Sequence, residues 1–503
     1  MPQNKLFTLK ISKYKFSYYL PIFFSLAIFN NLMILPIWKN IVGWIFLQAG
    51  RPLDSAINIV AVMTSEPWII PALVVLVGIL LAIIVWQASW WLQERWSWRL
   101  AGKAWLGAIV FPSLAIFFRA PLLTQNKLLP FLIDHLGRNA WLSLAAVLLL
   151  IIAWVIFLRL NYIPGRKFLL ALLVTAGPVF LGNCFILFLQ KLFEHPATLA
   201  INSTLVNMLS QFGLCLFLIL LSPQPHEMAL PTYVTSIIIG AAFISCLLVT
   251  PQPHKQTPLV IAHRGASQNN DLQNSIAALR KTAKLHPDYI EIDVHETKDH
   301  QFVVLHDENL SDLAGIDRKP HDMTLQELQQ LKIHDQKLQQ TGHLASLDQY
   351  LRVADKLNQP LLIDIKTTPF DSANMLERFE RTYGYRILAN RDLVQSLDYS
   401  AIKQLHALKP YYLQSTNLIL PPKDPAGFAM SYSVLTTSFV SMAQRPVFAW
   451  TANRPLAIKG ALSAGGDGII TDNVPLAKKL AAEFTHERNY SKYLANLIFN
   501  PYA

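Results

Sequence analysis

Acidic residues occur inside two short segments that otherwise have the composition of buried strands. YIEIDV at 289–294 carries Glu291 and Asp293, and LLIDIK at 361–366 carries Asp364. Residues two positions apart on a strand point to the same side, so Glu291 and Asp293 share a face. Burying a carboxylate is costly unless a cation or hydrogen-bond donors compensate for it. We therefore predict that the three carboxylates converge on a divalent cation, and an oxygen-only ligand set favours Ca²⁺ or Mg²⁺.

Two histidines and two cationic residues lie at the ends of similar segments. His263 and His306 each end a strand candidate, and an imidazole titrates near neutral pH, so one can accept a proton while the other donates one. Arg264 and Lys366 supply positive charge suited to a phosphate group. Trp450 lies near the carboxyl end of another strand candidate and is predicted to contact the substrate. A cation, two acid/base groups and phosphate contacts together predict phosphodiester cleavage. For Asp364 and Lys366 a simple ion pair is the alternative.

Strand candidates and helical patterns alternate from residue 259 to residue 482. This alternation predicts a parallel α/β domain, most simply a (β/α)8 TIM barrel, in which the carboxyl ends of the strands form the active-site face. A doubly wound open sheet is the rival fold, although no Gly-rich phosphate-binding turn follows the first strand. The strand candidates are LVIAH (259–263), YIEIDV (289–294), FVVLHD (302–307), LLIDIK (361–366), DLVQSL (392–397), YYLQS (411–415), VFAWTA (447–452) and GIITD (468–472).

The first half of the chain is apolar and basic. Residues 1–250 contain 16 Lys and Arg against 6 Asp and Glu, a net charge of +10, whereas residues 251–503 contain 27 against 26, a net charge of +1. Positive charge that accompanies apolar runs is typical of membrane topology and argues against a nucleic acid partner. About seven runs have the length of a bilayer-spanning helix. The predicted spans are 18–37, 68–92, 104–118, 141–157, 168–190, 204–221 and 233–250.

The distribution of basic residues between loops predicts the orientation. With the N-terminus inside, seven spans put ten Lys and Arg in cytoplasmic loops and six in external loops. The positive-inside rule favours this arrangement, which predicts a multi-pass cell-membrane protein with an extracellular catalytic domain. All three cysteines, Cys184, Cys215 and Cys246, lie in predicted spans, so a disulfide framework is excluded for the second half. We divide the chain into a polytopic transmembrane domain (1–250), a linker (251–258), a barrel (259–482) and a C-terminal tail (483–503).

Several motifs of the second half, in this order, resemble the glycerophosphodiester phosphodiesterase family. They are AHRG at 262–265, IEIDV at 290–294 with TKD at 297–299, VVLHD at 303–307 and GIITD at 468–472. The resemblance covers roughly residues 259–482, and SYSVL and FAWTANRP further resemble the membrane-anchored Gram-positive branch with an N-terminal multi-span domain. It implies that His263 and His306 are the general acid/base pair and that Arg264 contacts phosphate. It also implies that Glu291 and Asp293 are metal ligands.

The sequence departs from this family pattern at three positions. Asp364 stands where the family has the glutamate of its Glu-Ile-Lys run, with Lys366 matching the lysine. Gln273 stands where the family has the glutamate of Pro-Glu-Asn-Thr, so a negative charge near the site is absent. His300 replaces the glycine of the Thr-Lys-Asp-Gly turn, and we expect the glycine conformation to be lost there.

The resemblance implies an enzyme that hydrolyses glycerophosphodiesters to glycerol 3-phosphate and an alcohol. The substrate is then either a lipid-derived diester or a glycerol-phosphate teichoic polymer, met beside the lipid bilayer. Two alternatives remain open. The barrel could bind or sense a glycerol-phosphate polymer with weak turnover, although a pure binder has no need of two proton-transfer histidines. It could also be a phospholipase D-like lyase that acts on membrane lipids and forms a cyclic product.

Overall fold

The computed structural model describes residues 97, 98, 102, 103, 106, 118, 140–221, 257–265, 272–335, 340–414, 422–485 and 490–500. The chain divides into two compact units, of which the described parts are a set of helices before residue 222 and an α/β unit after residue 256. The predicted spans 18–37, 68–92 and 233–250, and nearly all of 104–118, lie outside the described residues.

Three long helices form the described part of the first unit, and each contains one predicted span. They are α1 (Ala140–Leu160), α2 (Gly165–Leu192) and α3 (Pro196–Leu221). Their core consists of Phe118, Ile163, Ala171, Val179, Leu214, Phe217 and Leu221. Among the described residues, α2 is the one helix that is long and apolar enough to cross a bilayer. A membrane-spanning segment is therefore supported by composition at α2.

The second unit is an eight-stranded parallel barrel, as predicted. Its strands follow the order β1-β12-β11-β10-β9-β8-β7-β2, and pairing of β1 with β2 closes the ring. The described residues of this unit form the strands β1 (Leu259–Ala262), β2 (Tyr289–Glu296), β3 (Phe302–Val304), β4 (Lys332–Asp335), β5 (Gln340–His343), β6 (Ala345–Ser346), β7 (Leu361–Ile365), β8 (Leu393–Ser396), β9 (Tyr411–Gln414), β10 (Gly427–Ser431), β11 (Val447–Trp450) and β12 (Gly468–Thr471). Strands β3 to β6 lie outside the ring.

Helices between the strands cover the outside of the barrel. They are α4 (Ile276–Ala283), α5 (Ser311–Ala314), α6 (Leu325–Gln330), α7 (Leu347–Lys356), α8 (Met375–Asn390), α9 (Tyr399–Gln404), α10 (Thr437–Ala443), α11 (Pro455–Ser463), α12 (Val474–Thr485) and α13 (Tyr490–Phe499). Sequence signals explain several of their starts: Ser275, Thr324 and Ser346 each cap a helix by accepting a hydrogen bond from a backbone N–H three residues later. Helix α13 lies in the predicted tail and buries Tyr493, Leu494 and Ile498.

One strand candidate lies outside the barrel ring. The FVVLHD segment forms β3, which pairs antiparallel with β2. The connection from Thr297 to Gln301 is too short for the crossover that a parallel neighbour needs. The backbone N–H of Thr297 donates to the carbonyl of Gln301 (2.9 Å), which closes a hairpin. His300 adopts φ +59° in this turn, so the expectation that the glycine conformation is lost was wrong. Histidine is among the side chains that enter this region more readily than most.

One of the eight barrel strands, β10, was not among the strand candidates of the sequence analysis. Strand β10 has the sequence GFAMS and offers neither a β-branched run nor clear alternation. Its first residue, Gly427, lies against the ring of Tyr411, and a Cβ there would come within 2.2 Å of that ring and 2.8 Å of the carbonyl oxygen of Pro446. The close approach of three neighbouring strands therefore requires glycine at this position.

The barrel interior below the carboxyl ends is apolar. Its core consists of Ile261, Leu362, Tyr411, Leu413, Ala429, Phe448 and Ile470, against which Leu259, Tyr289, Leu393, Leu397, Ala426 and Trp450 pack. These residues identify the inward face of each strand. The next inward positions toward the carboxyl ends are polar, and they form the candidate site.

Candidate active site

Three buried carboxylates meet at the carboxyl ends of β2 and β7. Asp293 and Asp364 are register partners on these adjacent parallel strands, and Glu291 precedes Asp293 on the same face. One carboxylate oxygen of each lies within 4.8 Å of the others. All three residues are at most 3% exposed. The convergence expected from the spacing of these residues is therefore present.

Two cationic residues partly compensate the carboxylates. The Nζ of Lys366 lies 2.9 Å from Oδ1 of Asp293 and 2.6 Å from Oδ2 of Asp364. The Nε of Arg264 lies 3.4 Å from Oδ2 of Asp293, and its backbone N–H donates to Oε2 of Glu291 (2.7 Å). The predicted alternative, an ion pair between Asp364 and Lys366, is thus present together with the carboxylate cluster. Two cations face three carboxyl groups, so ionisation of all three would leave one negative charge without a partner cation in this group.

The electrostatics of the three carboxyl groups differ because their neighbours differ. Burial, followed by repulsion from Asp293 and Asp364, raises the pKa of Glu291 well above its usual range. Burial acts in the same direction on Asp293, but the charges of Lys366 and Arg264 outweigh it and hold the pKa of Asp293 below its usual range. Burial raises the pKa of Asp364 despite the charge of Lys366. A further cation among these groups would favour the ionised form of all three.

The donor set fits a hard divalent cation. Oδ1 of Asp364 is buried and has no hydrogen-bond partner, so one carboxylate oxygen is available to a ligand. The other candidate ligands are carboxylate oxygens too, and no cysteine or histidine belongs to the group among the described residues. Mg²⁺ and Ca²⁺ prefer such oxygens, whereas zinc sites usually include nitrogen or sulfur. Glu291, Asp293 and Asp364 are therefore the residues that could hold a metal.

The turn after β1 fixes Arg264 beside the carboxylates. Arg264 adopts φ +49°, and its carbonyl accepts a hydrogen bond from the N–H of Asn274 (2.8 Å). The amide of Asn274 also binds Asp293, donating from Nδ2 to Oδ2 (2.9 Å) and accepting at Oδ1 from the backbone N–H (3.2 Å). Nη1 of Arg264 donates to Oε1 of Gln273 (3.1 Å). Gln273 thus contacts the predicted phosphate-binding residue, and Asn274 is a positioning residue that the sequence reasoning did not single out.

His263 is oriented by an aspartate from the opposite end of the barrel sequence. Its Nδ1 lies 2.7 Å from Oδ1 of Asp472, the residue after β12. Asn453 fixes this carboxylate, donating from Nδ2 to Oδ2 (2.5 Å) and accepting from the Asp472 N–H at Oδ1 (2.7 Å). Burial acts to raise the pKa of Asp472, but the hydrogen bond from His263 holds this pKa below its usual range. An ionised carboxylate only accepts, so Nδ1 carries the proton and Nε2 is left for a substrate. Asp472 is the last residue of the GIITD motif, and this motif is the feature of the sequence that could have identified Asp472 as a site residue.

His306 has a similar but more exposed arrangement. Its Nδ1 lies 2.8 Å from Oδ1 of Asp307, and the two side chains are 38% and 44% exposed. The hydrogen bond from His306 is the main cause of the lowered pKa of Asp307. A protonated His306 would lower the pKa of Asp293 and of Asp364, so this ring lies close enough to interact with the carboxylate group.

A second histidine supports the backbone of His306. His295 lies on β2 and is 2% exposed. It follows Asp293 on the inward face, and its Nε2 lies 3.1 Å from the carbonyl oxygen of His306. Burial lowers the pKa of His295 to about 4, so the ring is neutral at pH 7.

Trp450 is the last residue of β11 and packs against the apolar barrel interior. It therefore lies at the same end of the barrel as the carboxylates. Its Nε1 is buried and has no hydrogen-bond partner, so the indole offers a donor to a ligand. The structure thus brings all eight predicted site residues to the carboxyl-end face of one barrel.

Residues 263–421 match the model of the glycerophosphoryl diester phosphodiesterase family. The chain carries a domain of this family. The match begins at His263 and contains every candidate site residue except Trp450 and the newly found Asn453 and Asp472. Within the phosphodiesterase domain, the three departures from the family pattern remain at Gln273, His300 and Asp364.

Several proteins and solved structures that are named glycerophosphodiester phosphodiesterases are similar to this domain. The chain is 27% identical to the Bacillus subtilis protein YhdW over 230 residues, which are 42% of this chain and 93% of that protein. It is 25% identical over 229 residues to a glycerophosphodiester phosphodiesterase of Caldanaerobacter subterraneus, covering 43% and 94% of the two chains. A solved glycerophosphodiester phosphodiesterase of Parabacteroides distasonis is 25% identical, with a TM-score of 0.39 and coverage of 46% of this chain and 100% of that one.

Proposed function

We propose that the barrel hydrolyses glycerophosphodiesters to glycerol 3-phosphate and an alcohol with the help of Ca²⁺ or Mg²⁺. The observation that carries this proposal is that two carboxylate-oriented histidines, His263 and His306, lie at the same barrel face as the carboxylates and cations. The match of residues 263–421 to the phosphodiesterase family and the names of the relatives support the same activity.

The residues of this face have separable roles in the proposal. Arg264 and Lys366 bind the phosphate oxygens, and the contact of Gln273 with Nη1 orients the guanidinium. A divalent cation held by Glu291, Asp293 and Asp364 would supply Lewis-acid stabilisation of the phosphoryl charge. Trp450 contacts the organic part of the substrate. Asp364 carries a shorter side chain than the family glutamate, and its backbone lies in register with Asp293, which keeps its carboxylate beside the group.

Proton transfer is assigned to the two imidazoles. One takes a proton from the attacking oxygen while the other gives a proton to the leaving alcohol, each from the nitrogen that is not bonded to its aspartate. Asp472 and Asp307 hold the Nδ1 atoms, so Nε2 is the reactive atom of each ring. This pair of proton-transfer histidines is the reason to prefer an enzyme over a polymer-binding or sensing module, since binding alone requires no such pair.

A lyase reaction on membrane lipids is the second candidate. The lipid substrate of this candidate is supported by a segment of 68 residues that is 43% identical to human lysophospholipase D GDPD1, covering 14% of this chain and 21% of that protein. In a lyase reaction the substrate's own hydroxyl attacks the phosphorus and a cyclic phosphate is formed. Phosphorus NMR of the products separates the reactions, because a persistent cyclic phosphate contradicts simple hydrolysis.

We also propose that the first half anchors the enzyme in the cell membrane through about seven helices, with the barrel outside. Helices α1 and α2 support a membrane location, since residues such as Leu149, Leu173 and Leu181 expose about two thirds of their surface. Protease treatment of intact cells tests the orientation: cleavage of the barrel is expected, and full protection contradicts an extracellular barrel.

The purified full-length chain tests the activity and the substrate class together. Glycerophosphocholine and a glycerol-phosphate teichoic polymer are each incubated with the protein in the presence of Ca²⁺, Mg²⁺ or a chelator. Release of glycerol 3-phosphate that stops with the chelator is expected for at least one substrate. Binding of the polymer without release from either substrate would favour the binding module.

A further inference from the structure

A buried glutamine lies next to the carboxylate group along the barrel wall. Gln395 on β8 is the register partner of Asp364 on β7. Leu393 and Leu397, two residues away on either side, both pack against the apolar barrel interior. Because side chains alternate along a strand, Gln395 points to this interior as well. It is therefore the next inward polar residue around the barrel after Asp364.

This part of the face has hydrogen-bond acceptors without donors. Gln395 is 2% exposed, and its Oε1 has no hydrogen-bond partner. Oδ1 of its neighbour Asp364 is also buried and unpaired. Burying an acceptor without a donor is unfavourable, and native proteins usually avoid it or reserve it for a ligand. A donor that arrives with a substrate, such as a hydroxyl group, would satisfy Gln395.

The order of the strands indicates which part of a phosphodiester reaches Gln395. His263 follows β1 and His306 follows β3, so both lie on the β1–β3 side of the carboxylate group. Strand β8 lies on the other side, beyond β7. The attacking oxygen and the leaving oxygen both exchange protons with the histidines and are drawn to their side. The substituent that stays on phosphorus is left to extend toward β8.

We propose that Gln395 is a specificity-determining residue whose Oε1 accepts a hydrogen bond from a hydroxyl of the glycerol group. This inference rests on the proposed function, in which glycerol is the substituent that stays on phosphorus. It predicts a preference for glycerol diesters over simple alkyl diesters, because an alkyl group leaves the buried amide oxygen unpaired. Sites that bury a polar group for a substrate hydroxyl discriminate strongly against analogues that lack it.

Two substrates and two variants test this role in the full-length chain. Glycerophosphocholine is compared with propylphosphocholine, which has the same leaving group and lacks both hydroxyls. Gln395→Met removes the amide with little change in volume. Gln414→Met is the matched control, since Gln414 on β9 is 3% exposed and has unpaired amide atoms but lies next to the inward-facing Leu413 and thus points away from the interior.

The wild-type chain is expected to hydrolyse glycerophosphocholine with the higher kcat/KM. Gln395→Met should reduce this preference roughly tenfold, the loss expected for one buried hydrogen bond, mainly through KM of the glycerol substrate. Gln414→Met should leave the preference unchanged. Equal losses on both substrates, or the same change in both variants, would overturn the inference.

A binding measurement separates failure of this inference from failure of the proposed function. If the wild-type chain hydrolyses neither substrate, the proposed function fails. Calorimetry with glycerol 3-phosphate and propyl phosphate then decides the role of Gln395 without turnover. Tighter binding of glycerol 3-phosphate that is lost in Gln395→Met supports the hydroxyl contact, and equal binding of the two ligands by the wild type contradicts it.

Discussion

The ammonium group of Lys366 lies between the carboxylates of Asp293 and Asp364, which are register partners on adjacent strands. Burial lowers the pKa of the lysine, but the two aspartates outweigh this effect and raise it above its usual value. The lysine therefore stays charged and balances two carboxylates at a point where a metal would act on the same oxygens. A metal bound by these carboxylates is therefore expected to change the stability of the fold.

Lys366→Met should destabilise the metal-free protein. The variant keeps the length of the side chain but leaves two buried carboxylates without their shared cation, a loss of about 3 kcal/mol in the free energy of unfolding. Saturating Ca²⁺ or Mg²⁺ should restore part of this loss, because the metal binds the folded state. Unfolding is measured with chelator and with metal. Lys459→Met, whose Nζ lies 3.9 Å from Glu483 at the surface, is the control. Equal destabilisation with chelator and with metal would show that the carboxylates do not share a metal.

His306→Ala should abolish turnover and keep the fold. General acid/base catalysis contributes about 10²–10⁴-fold to a rate, so kcat should fall by that factor on glycerophosphocholine. His306 is partly exposed, and the melting temperature of the barrel should change little. His406→Ala, at an exposed position, is the control. Wild-type activity in His306→Ala would refute the acid/base role.

Gln273→Glu should strengthen metal binding. The variant places a negative charge next to the guanidinium group of Arg264, which also lies beside Asp293. The new charge offsets that of Arg264 and so lowers the positive potential at the carboxylate group. The added charge attracts a divalent cation, so the affinity for Ca²⁺ should rise. The dissociation constant for Ca²⁺ is measured by calorimetry. Gln349→Glu adds the same charge at an exposed position. An unchanged constant would make the Gln273 departure neutral for metal binding.

Asp392→Asn should remove a pH dependence of stability. Asp392 is 5% exposed, and burial raises its pKa to about 6 despite hydrogen bonds from Leu361 and Arg386. The folded protein thus holds a proton that the unfolded chain has lost above pH ~4. The free energy of unfolding should therefore fall as pH rises from about 4 to 6, by up to about 3 kcal/mol. Thermal unfolding at several pH values, with chelator, compares the wild type with the variant. Identical slopes would contradict the raised pKa.

Gly427→Ala should destabilise the barrel. The added Cβ meets the ring of Tyr411 and the carbonyl oxygen of Pro446, and the backbone oxygen cannot move away without shifting a strand. Overpacking of this kind costs about 1–3 kcal/mol. Chemical denaturation provides the measurement. Gly177→Ala, where a Cβ meets no atom within 4 Å, is the control. Wild-type stability in Gly427→Ala would contradict the requirement for glycine, because the strands next to β10 would then accommodate the added Cβ.

The local sequence pattern predicted the barrel fold and most of its strands. Runs such as LLIDI and GIIT are apolar enough to be recognised as strands without knowledge of their neighbours, and the Ser and Thr caps mark helix starts. Strand β10 could not be found in this way. Its glycine is explained by the packing of Tyr411 against it, and a contact between distant residues leaves no local signature.

The sequence by itself predicted which residues gather at the candidate site. Residue type and alternation along single strands sufficed to select Glu291, Asp293, Asp364 and the two histidines, because period-two geometry is local. Only the tertiary structure decided which partners orient them. Pairing of β1 with β12 brings Asp472 to His263, 209 residues away in sequence, and the register of β7 with β8 brings Gln395 beside Asp364. Such pairings depend on which strands lie next to each other, and that depends on packing of the whole barrel.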